Sequence, residues 1–329
     1  MNTIIYIATP GSHKIQVLKI SKNFNLKIIQ ILNTDGEIQP IFVFKNRLYA
    51  GIRPKFRIIT YNIKKDGTLE KIGESSIPGS PNYLSLDKKN RFLFCASYGM
   101  GCLSVSPINE LGIPTHPMQI LYNIDGCHYC NTDLDNTTLF VTSLKKNCIY
   151  LYNLTENGLL IQHMPHKLKT SQGSGPRHMD FHPNKKYAYS INELNSTIDV
   201  WKLKNNGKSI ISIQNISILP KQYNYQPWAS DIHIHPSGSY LYTCDRTASI
   251  ISIFSVNKNN NKLKKIGFFS TEKQPRSFSI SPNGQYLVVA GEISNSITLY
   301  EISNDYFYFQ EKKKIKIEKR PIWVQIHQL

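Results

Sequence analysis

The chain is predicted to be all-β and to close into a seven-bladed β-propeller. Three observations carry that expectation. A unit of short strands and polar turns repeats along the whole sequence. Its period lies in the range of propeller blades. The two termini hold complementary fractions of one more unit. The clearest copy runs from Gly175 to Leu203, GPRHMDFHPNKKYAYSINELNSTIDVWKL. HMDFH leads to the turn Pro183-Asn184-Lys185-Lys186, YAYSI to the polar loop Asn192-Glu193-Leu194-Asn195-Ser196, and TIDVWKL closes the unit. β-Branched and aromatic residues favour strands, and Pro, Asn and Gly clusters punctuate them.

The N-terminus opens with three strand-like segments, TIIYIAT, KIQVLKI and LKIIQIL. Units then begin at Pro40 (PIFVFKNRLYAGIRPKFRIITYNI), at Pro81 (PNYLSLDKKNRFLFCASYGMGCLSVSPI) and, in a degenerate form, at Cys127 (CHYCNTDLDNTTLFVTSLKKNCIYLYNL). The Pro176 copy follows, then those at Ala229 (ASDIHIHPSGSYLYTCDRTASIISIFSV) and Pro275 (PRSFSISPNGQYLVVAGEISNSITLYEI). With Pro321 as the last anchor, successive anchors stand 41 to 53 residues apart, the spacing of four-stranded blades. The C-terminal PIWVQIHQL supplies only a first strand, the one the three N-terminal segments lack. Joining the ends gives the seventh blade and removes the free edges that an open solenoid would leave. One domain spanning residues 1–329 is expected, in place of the two that length alone would give.

The net charge is +17. Most of it is lysine in hairpin turns, at 64–65, 88–89, 145–146, 185–186, 264–265 and 312–314. In a chain rich in Ile, Asn and Lys this reads as compositional drift rather than a nucleic-acid surface, although a basic protein attracts small anions. No apolar run is long enough to cross a bilayer, and IIYIA is too short for a signal-peptide core, so a cytoplasmic enzyme without nucleic-acid or membrane partners is expected, as a monomer or weak homodimer. Of six cysteines, only Cys127 and Cys130 are spaced like ligands, and no second pair completes a zinc site. Reduced, buried thiols and no metal or other cofactor are expected. His233 and His235 alternate on a strand and read as packing. His163 and His166 flank Pro165 and read as a solvated loop. Trp201 falls in a third strand and reads as core.

Antiparallel blades allow residues to be sorted by face. With strands a to d running outward, the d-to-a and b-to-c loops share one face. That face collects His128, Arg177, His178, Trp228, Asp231, Arg276 and Trp323, together with Arg53, Tyr98, Asn192, Glu193, Asn195, Asp245, Arg246 and Glu292. The other face holds the repeated turns Pro183-Asn184, Pro236-Ser237-Gly238 and Pro282-Asn283-Gly284, which read as scaffold. Departure from regularity marks the first face as the place for a site. Arg177 and His178 could equally bridge carbonyls between blades, and Asp245 could pair with Arg246 inside its own loop. Arginines grip phosphate or carboxylate through paired hydrogen bonds, a His or Glu can act as general base on water, and cationic donors can stabilise an oxyanion. Together these parts support hydrolysis of an anionic ester or lactone. A covalent serine mechanism is not expected, because no G-x-S-x-G elbow is present.

Gly175-Pro176-Arg177-His178-Met179, Asn192-Glu193-Leu194-Asn195-Ser196, Asp125-Gly126-Cys127-His128 and Cys244-Asp245-Arg246-Thr247-Ala248-Ser249 occur together, with Gln39-Pro40, Gly51-Ile52-Arg53-Pro54, Pro78-Gly79-Ser80-Pro81 and Gln274-Pro275-Arg276. In that combination the chain resembles, from first strand to last, the bacterial 6-phosphogluconolactonases of the seven-bladed propeller type. The resemblance implies hydrolysis of 6-phospho-D-glucono-1,5-lactone to 6-phosphogluconate in the oxidative pentose phosphate pathway. It extends to the fungal carboxymuconate-lactonising propellers, where a His, an Arg and a Glu are the proposed catalytic group. By matching motifs these would be His128, Arg177 and Glu193 here. Arg276, Arg246 and Arg53, with His178 and Asn192, are the residues expected to bind the phosphorylated substrate, and the choice of second arginine between Arg246 and Arg276 stays open. Two other readings remain: a cycloisomerase or lactonase for another sugar acid on the same scaffold, and a non-catalytic interaction propeller.

Overall fold

A computed structural model describes residues 3–204, 209–303, 305 and 307–329. It contains seven four-stranded antiparallel sheets. In chain order, blades 1 to 6 occupy residues 37–76, 83–121, 127–169, 176–217, 229–270 and 275–316. Blade 7 joins the two ends. Trp323–Gln328 pairs antiparallel with Thr3–Thr9, and Lys14–Ile20 and Leu26–Asn33 complete the sheet. The split blade expected from the sequence is therefore present. Among the described residues no helix is long and apolar enough to cross a membrane.

The core lies between blades. One cluster packs Tyr6, Ile15 and Val17 of blade 7 against Ile38, Leu48 and Ile59 of blade 1. Another packs Tyr189, Ile191 and Val200 of blade 4 against Ile232, Leu241 and Phe254 of blade 5. Each blade thus buries both faces, which is why the middle strands read as unbroken apolar runs rather than alternating ones. Trp201 belongs to such a seam, buried, with its indole Nε1 donating to Ser190 Oγ at 2.9 Å. All six cysteines are buried and free.

The turn face is stapled. His182 Nε2 donates to the Gly238 carbonyl at 2.9 Å and His235 Nε2 to the Gly284 carbonyl at 3.0 Å, while each Nδ1 accepts a backbone N–H of its own turn at 3.1 Å. Gly284 has φ +73°, and a Cβ there would fall 2.3 Å from His235 Nε2, so only glycine lets the next blade's histidine reach the turn. His235 is thus a link between blades 5 and 6. Two sequence expectations fail here. His163 and His166 lie not in a solvated loop but in the outer strand Leu160–Lys169, where His163 is buried and His166 packs against the rings of Tyr150 and Tyr152. Their period was hidden by the proline between them.

Inner strands follow one rule at the opposite face. Pairing to the second strand skips one residue in blades 3 to 6: His128, Arg177, Ser230 and Arg276. A bulge leaves its extra residue unpaired and re-aims the side chain. Four blades therefore turn one residue each out of the ladder at the same height, at one mouth of the central channel.

Candidate active site

A cavity of about 280 Å³ opens at this mouth, lined by Gln39, Arg53, Asn82, Tyr98, His128, Glu193, Trp228, Arg246 and Arg276. His128 and Arg276 arrive on bulges. Glu193 and Arg246 arrive on the tight loops after the second strands of blades 4 and 5. The Glu193 loop is fixed at both ends, by its N–H to the Gly175 carbonyl at 2.7 Å and by its own carbonyl, which accepts Ala229 N–H at 3.1 Å. Gly175 itself sits at φ +64°, with Leu194 packed where a Cβ would go. The Arg246 loop is held by Asp245, which accepts from Trp228 N–H, Ala248 N–H and Ser196 Oγ at 2.9, 2.8 and 2.6 Å. Asp245 therefore builds the loop, and Arg246 pairs with Glu193 instead, contrary to the internal pair the sequence left open.

Glu193 is the hub. Its Oε2 lies 2.9 Å from Arg177 Nε and 3.0 Å from Arg246 Nη2, and its Oε1 accepts Trp228 Nε1 at 3.3 Å. Burial works against the charge of Glu193, yet Arg177, then Arg246, hold its carboxyl below the usual range. Arg246 also donates to the Ala229 carbonyl at 2.8 Å and stacks on the Trp228 ring, 3.9 Å from its centroid. Burial and the neighbouring Arg177 lower its pKa to about 9. Arg177 does not line the cavity. It is 2% exposed, behind Glu193, and its Nη1 donates to the Ser230 carbonyl of blade 5. The bridge to the neighbouring blade, one of the two readings the sequence left open, is what the contacts of Arg177 show.

His128 is buried at the cavity floor, and its Nδ1 has no hydrogen-bond partner among the described residues. Burial, then Arg177, His178 and two further arginines, keep it well below its ordinary pKa, so it is neutral. Arg53 donates to the Pro81 carbonyl at 2.7 Å and to Asn82 Oδ1 at 2.5 Å, and among the described residues it pairs with no carboxylate. Its pKa falls to about 10, through burial and then through Arg276. Arg276 is 22% exposed, against 2% for Arg177 and 3% for Arg246, and its pairing with Glu292 is loose at 3.5 Å.

Two expected substrate ligands lie elsewhere. Asn192 is fully buried and its amide donates to Thr197 Oγ1 and Asp199 Oδ2 at 2.9 and 2.8 Å, inside its own blade. His178 points into the channel beneath the cavity, with its Nδ1 on Asp231 Oδ1 at 2.8 Å. Asn192 is the regularly paired last residue of Tyr187–Asn192, and the alternation of that strand turns it into the blade, whereas His178 resumes the ladder after the bulged Arg177. Gln39, quoted above only as part of a motif, lines the cavity from the irregular pairing within Glu37–Phe44, and Asn82 lines it from just before Tyr83–Leu86 with no sequence signal beyond that place. Among the described residues no three His, Cys, Asp or Glu side chains stand together as a metal site.

The family model described as "Lactonase, 7-bladed beta-propeller" matches residues 3–326. A 6-phosphogluconolactonase of Buchnera aphidicola subsp. Acyrthosiphon pisum is 48% identical over the whole of both chains. One from Erwinia tasmaniensis is 42% identical, again over the whole of both. Among solved structures, the periplasmic gluconolactonase of Pseudomonas aeruginosa superposes with a TM-score of 0.90 over 99% of each chain at 20% identity, a likeness of fold.

Proposed function

The chain belongs to the seven-bladed β-propeller lactonase family, and from that premise we propose that it is an enzyme hydrolysing 6-phospho-D-glucono-1,5-lactone to 6-phosphogluconate in the pentose phosphate pathway. Relatives at 41 to 48% identity over nearly the full length carry the name of that activity. The observation that carries the reading is the cationic excess of the cavity. Arg53, Arg246 and Arg276 face it with Arg177 behind, against the carboxylates of Glu193 and, behind Arg276, Glu292. Such a site attracts and orients a doubly charged phosphate. Its volume, about 280 Å³, suits a small metabolite.

The roles divide by what each side chain has left to offer. Arg53 and Arg276 grip the phosphate, since neither is committed to a close ion pair. Arg246 has Nε and Nη2 engaged, and its third nitrogen, Nη1, stabilises the oxyanion as water adds to the lactone carbonyl. Glu193 fixes that guanidinium and orients the water. His128, neutral and unpartnered at Nδ1, takes the water's proton. Arg177 acts through Glu193 rather than on substrate. The ring oxygen leaves with a proton, and the new carboxylic acid ionises. A monomer or weak homodimer is the oligomeric state we expect. A phosphorylated sugar is a cell-interior metabolite, which favours the cytoplasm.

The test is consumption of lactone generated in place, against its spontaneous loss. Faster loss with the phosphorylated lactone than with gluconolactone is expected. A folded sample that accelerates neither overturns the reading, and isomerisation without ring opening would favour a cycloisomerase.

A further inference from the structure

Beneath the cavity a continuous chain of contacts runs down the central channel. Arg177 Nη1 lies 3.3 and 3.2 Å from Nδ1 and Nε2 of His178 at once. Near-equal distances to both ring nitrogens put the guanidinium over the face of the imidazole, not at its edge. His178 Nδ1 donates to Asp231 Oδ1 at 2.8 Å. Asp231 Oδ2 lies 3.3 Å from His233 Nε2, and His233 Nδ1 lies 3.9 Å from Asp180 Oδ2. His178 and Asp231 are buried, whereas the His233 side chain is 36% exposed to the lower channel. His178, Asp231, His233 and Asp180 do not line the cavity, and no step of the proposed mechanism uses them.

We propose that Asp231 and His233 are positioning residues for the Arg177–Glu193 pair, holding the His178 ring neutral and oriented, with its proton on Nδ1, so that its face carries the Arg177 guanidinium. The inference rests on the site reading above, because it gives Arg177 and Glu193 their importance. A cation sits well over a neutral imidazole and is repelled by an imidazolium. Burial and then Arg177 depress His178 to about 4, so the ring stays neutral, with its proton on the nitrogen that faces Asp231. Asp231 is held ionised against its burial by His233 first and His178 second. Partial desolvation works against a charge on His233, yet Asp231 and then Asp180 raise its pKa above the ordinary value. Without the His233 charge, two carboxylates would face each other across the channel and draw a proton onto His178 or Asp231. Other titratable groups facing this cluster are Tyr83 of blade 2, His128 and Tyr129 of blade 3, Cys244 of blade 5, Arg276 of blade 6 and, lower down, Lys88. None replaces the His233 charge between Asp231 and Asp180.

The experiment compares D231N, H233Q, R177A and E193Q with the wild type, reading Tm, KM and kcat across pH. D231N is expected to lower kcat at least tenfold with KM within about twofold. H233Q, which keeps a donor but no charge, is expected to lower kcat by a smaller factor and to lack the decline expected of the wild type as pH rises past the ordinary histidine range. A folded D231N with wild-type kcat and pH profile overturns the inference, as does an H233Q profile that superimposes on the wild type. Should D231N fail to fold, H233Q decides. Loss of activity in R177A and E193Q without loss in D231N sinks the positioning role alone. Full activity in R177A and E193Q sinks the site reading instead.

Discussion

Arg177 and Arg246 meet on a single atom, Oε2 of Glu193, at 2.9 and 3.0 Å. Two like charges from different blades are thus held together by one carboxylate that is itself only 16% exposed. Removing that charge leaves both guanidiniums facing each other in a dry site. E193Q is expected to lower kcat by about 10²-fold, through misplacement of Arg246 and the attacking water, and to cost up to about 3 kcal/mol of stability, because breaking a buried pair strands its partners. Lactone turnover and thermal unfolding of the same sample check both. Wild-type turnover in a folded E193Q would remove Glu193 from the mechanism.

Arg177 makes the cleaner contrast with the far face. R177A is expected to lower turnover strongly, through the loss of Glu193 orientation. Lys185, on the scaffold turns and paired only with the exposed Asp135 at 2.6 Å, should be replaceable by Ala without effect. Equal activities would dissolve the assignment of the site to the bulged face.

The phosphate subsite is tested by substrate choice. R276A and R53A each remove charge-assisted hydrogen bonds worth roughly 1.5–3 kcal/mol, so KM for the phosphorylated lactone should rise about ten- to hundredfold. KM for gluconolactone, which has no phosphate, should barely move. An equal rise for both substrates would place these arginines at the lactone ring.

The blades and their closure were legible because turn chemistry and strand composition repeat, and because the two ends hold complementary parts of one blade. The convergence of His128, Glu193, Arg246 and Arg276 was legible from strand direction alone. What each side chain does there was not. Arg177 and Arg276 occupy equivalent bulges, yet one is sealed behind Glu193 and the other is open. The difference comes from the next blade. Blade 5 offers Arg177 the Ser230 carbonyl and brings Arg246 alongside, whereas Arg276 meets only the loose contact with Glu292. Asn192 and His178 were expected at the substrate because they sit beside site residues; plain strand alternation turns Asn192 into its blade, and His178 resumes the ladder after the bulged Arg177.

Acid sensitivity follows from the buried histidines. The folded pKa of His178, about 4, lies below the ordinary histidine value, and that of His128 is shifted the same way. The unfolded chain therefore binds more protons between about pH 6.5 and 4, and stability falls as pH is lowered through that window. For His178 the shift corresponds to about 3 kcal/mol once pH reaches 4. His233 has the opposite sign: its raised pKa gives stability that is complete below the ordinary histidine value and is lost as pH rises through its folded pKa. Thermal unfolding from pH 7.5 to 4.5 should show a falling Tm, and H178Q should flatten the slope. An H178Q slope equal to the wild type would show that His178 is not the titrating group.

The ring closure is the last structural claim to test, because every site residue depends on it. The seam is one strand: Trp323–Gln328 pairs with Thr3–Thr9 over six positions, from Ala8 opposite Trp323 to Thr3 opposite Gln328. Val324 and Ile326 on that strand are buried against Ile5, Ile7, Val288 and Ala290, so they join blade 7 to blade 6 as well as the two termini. Each such side chain contributes about 1.5–3 kcal/mol on burial, and the strand also satisfies the inner edge of blade 7. Truncation after Arg320 therefore removes three core side chains, Ile322, Val324 and Ile326, and exposes a bare strand edge on the channel. Loss of the cooperative unfolding transition is expected. Removal of Leu329 alone, which is 37% exposed and lies outside the paired strand, should leave Tm and activity unchanged. If the longer truncation kept the wild-type Tm, blade 7 would not be closed by the C-terminus, and the height at which the other blades present His128, Arg177 and Arg276 would need another cause.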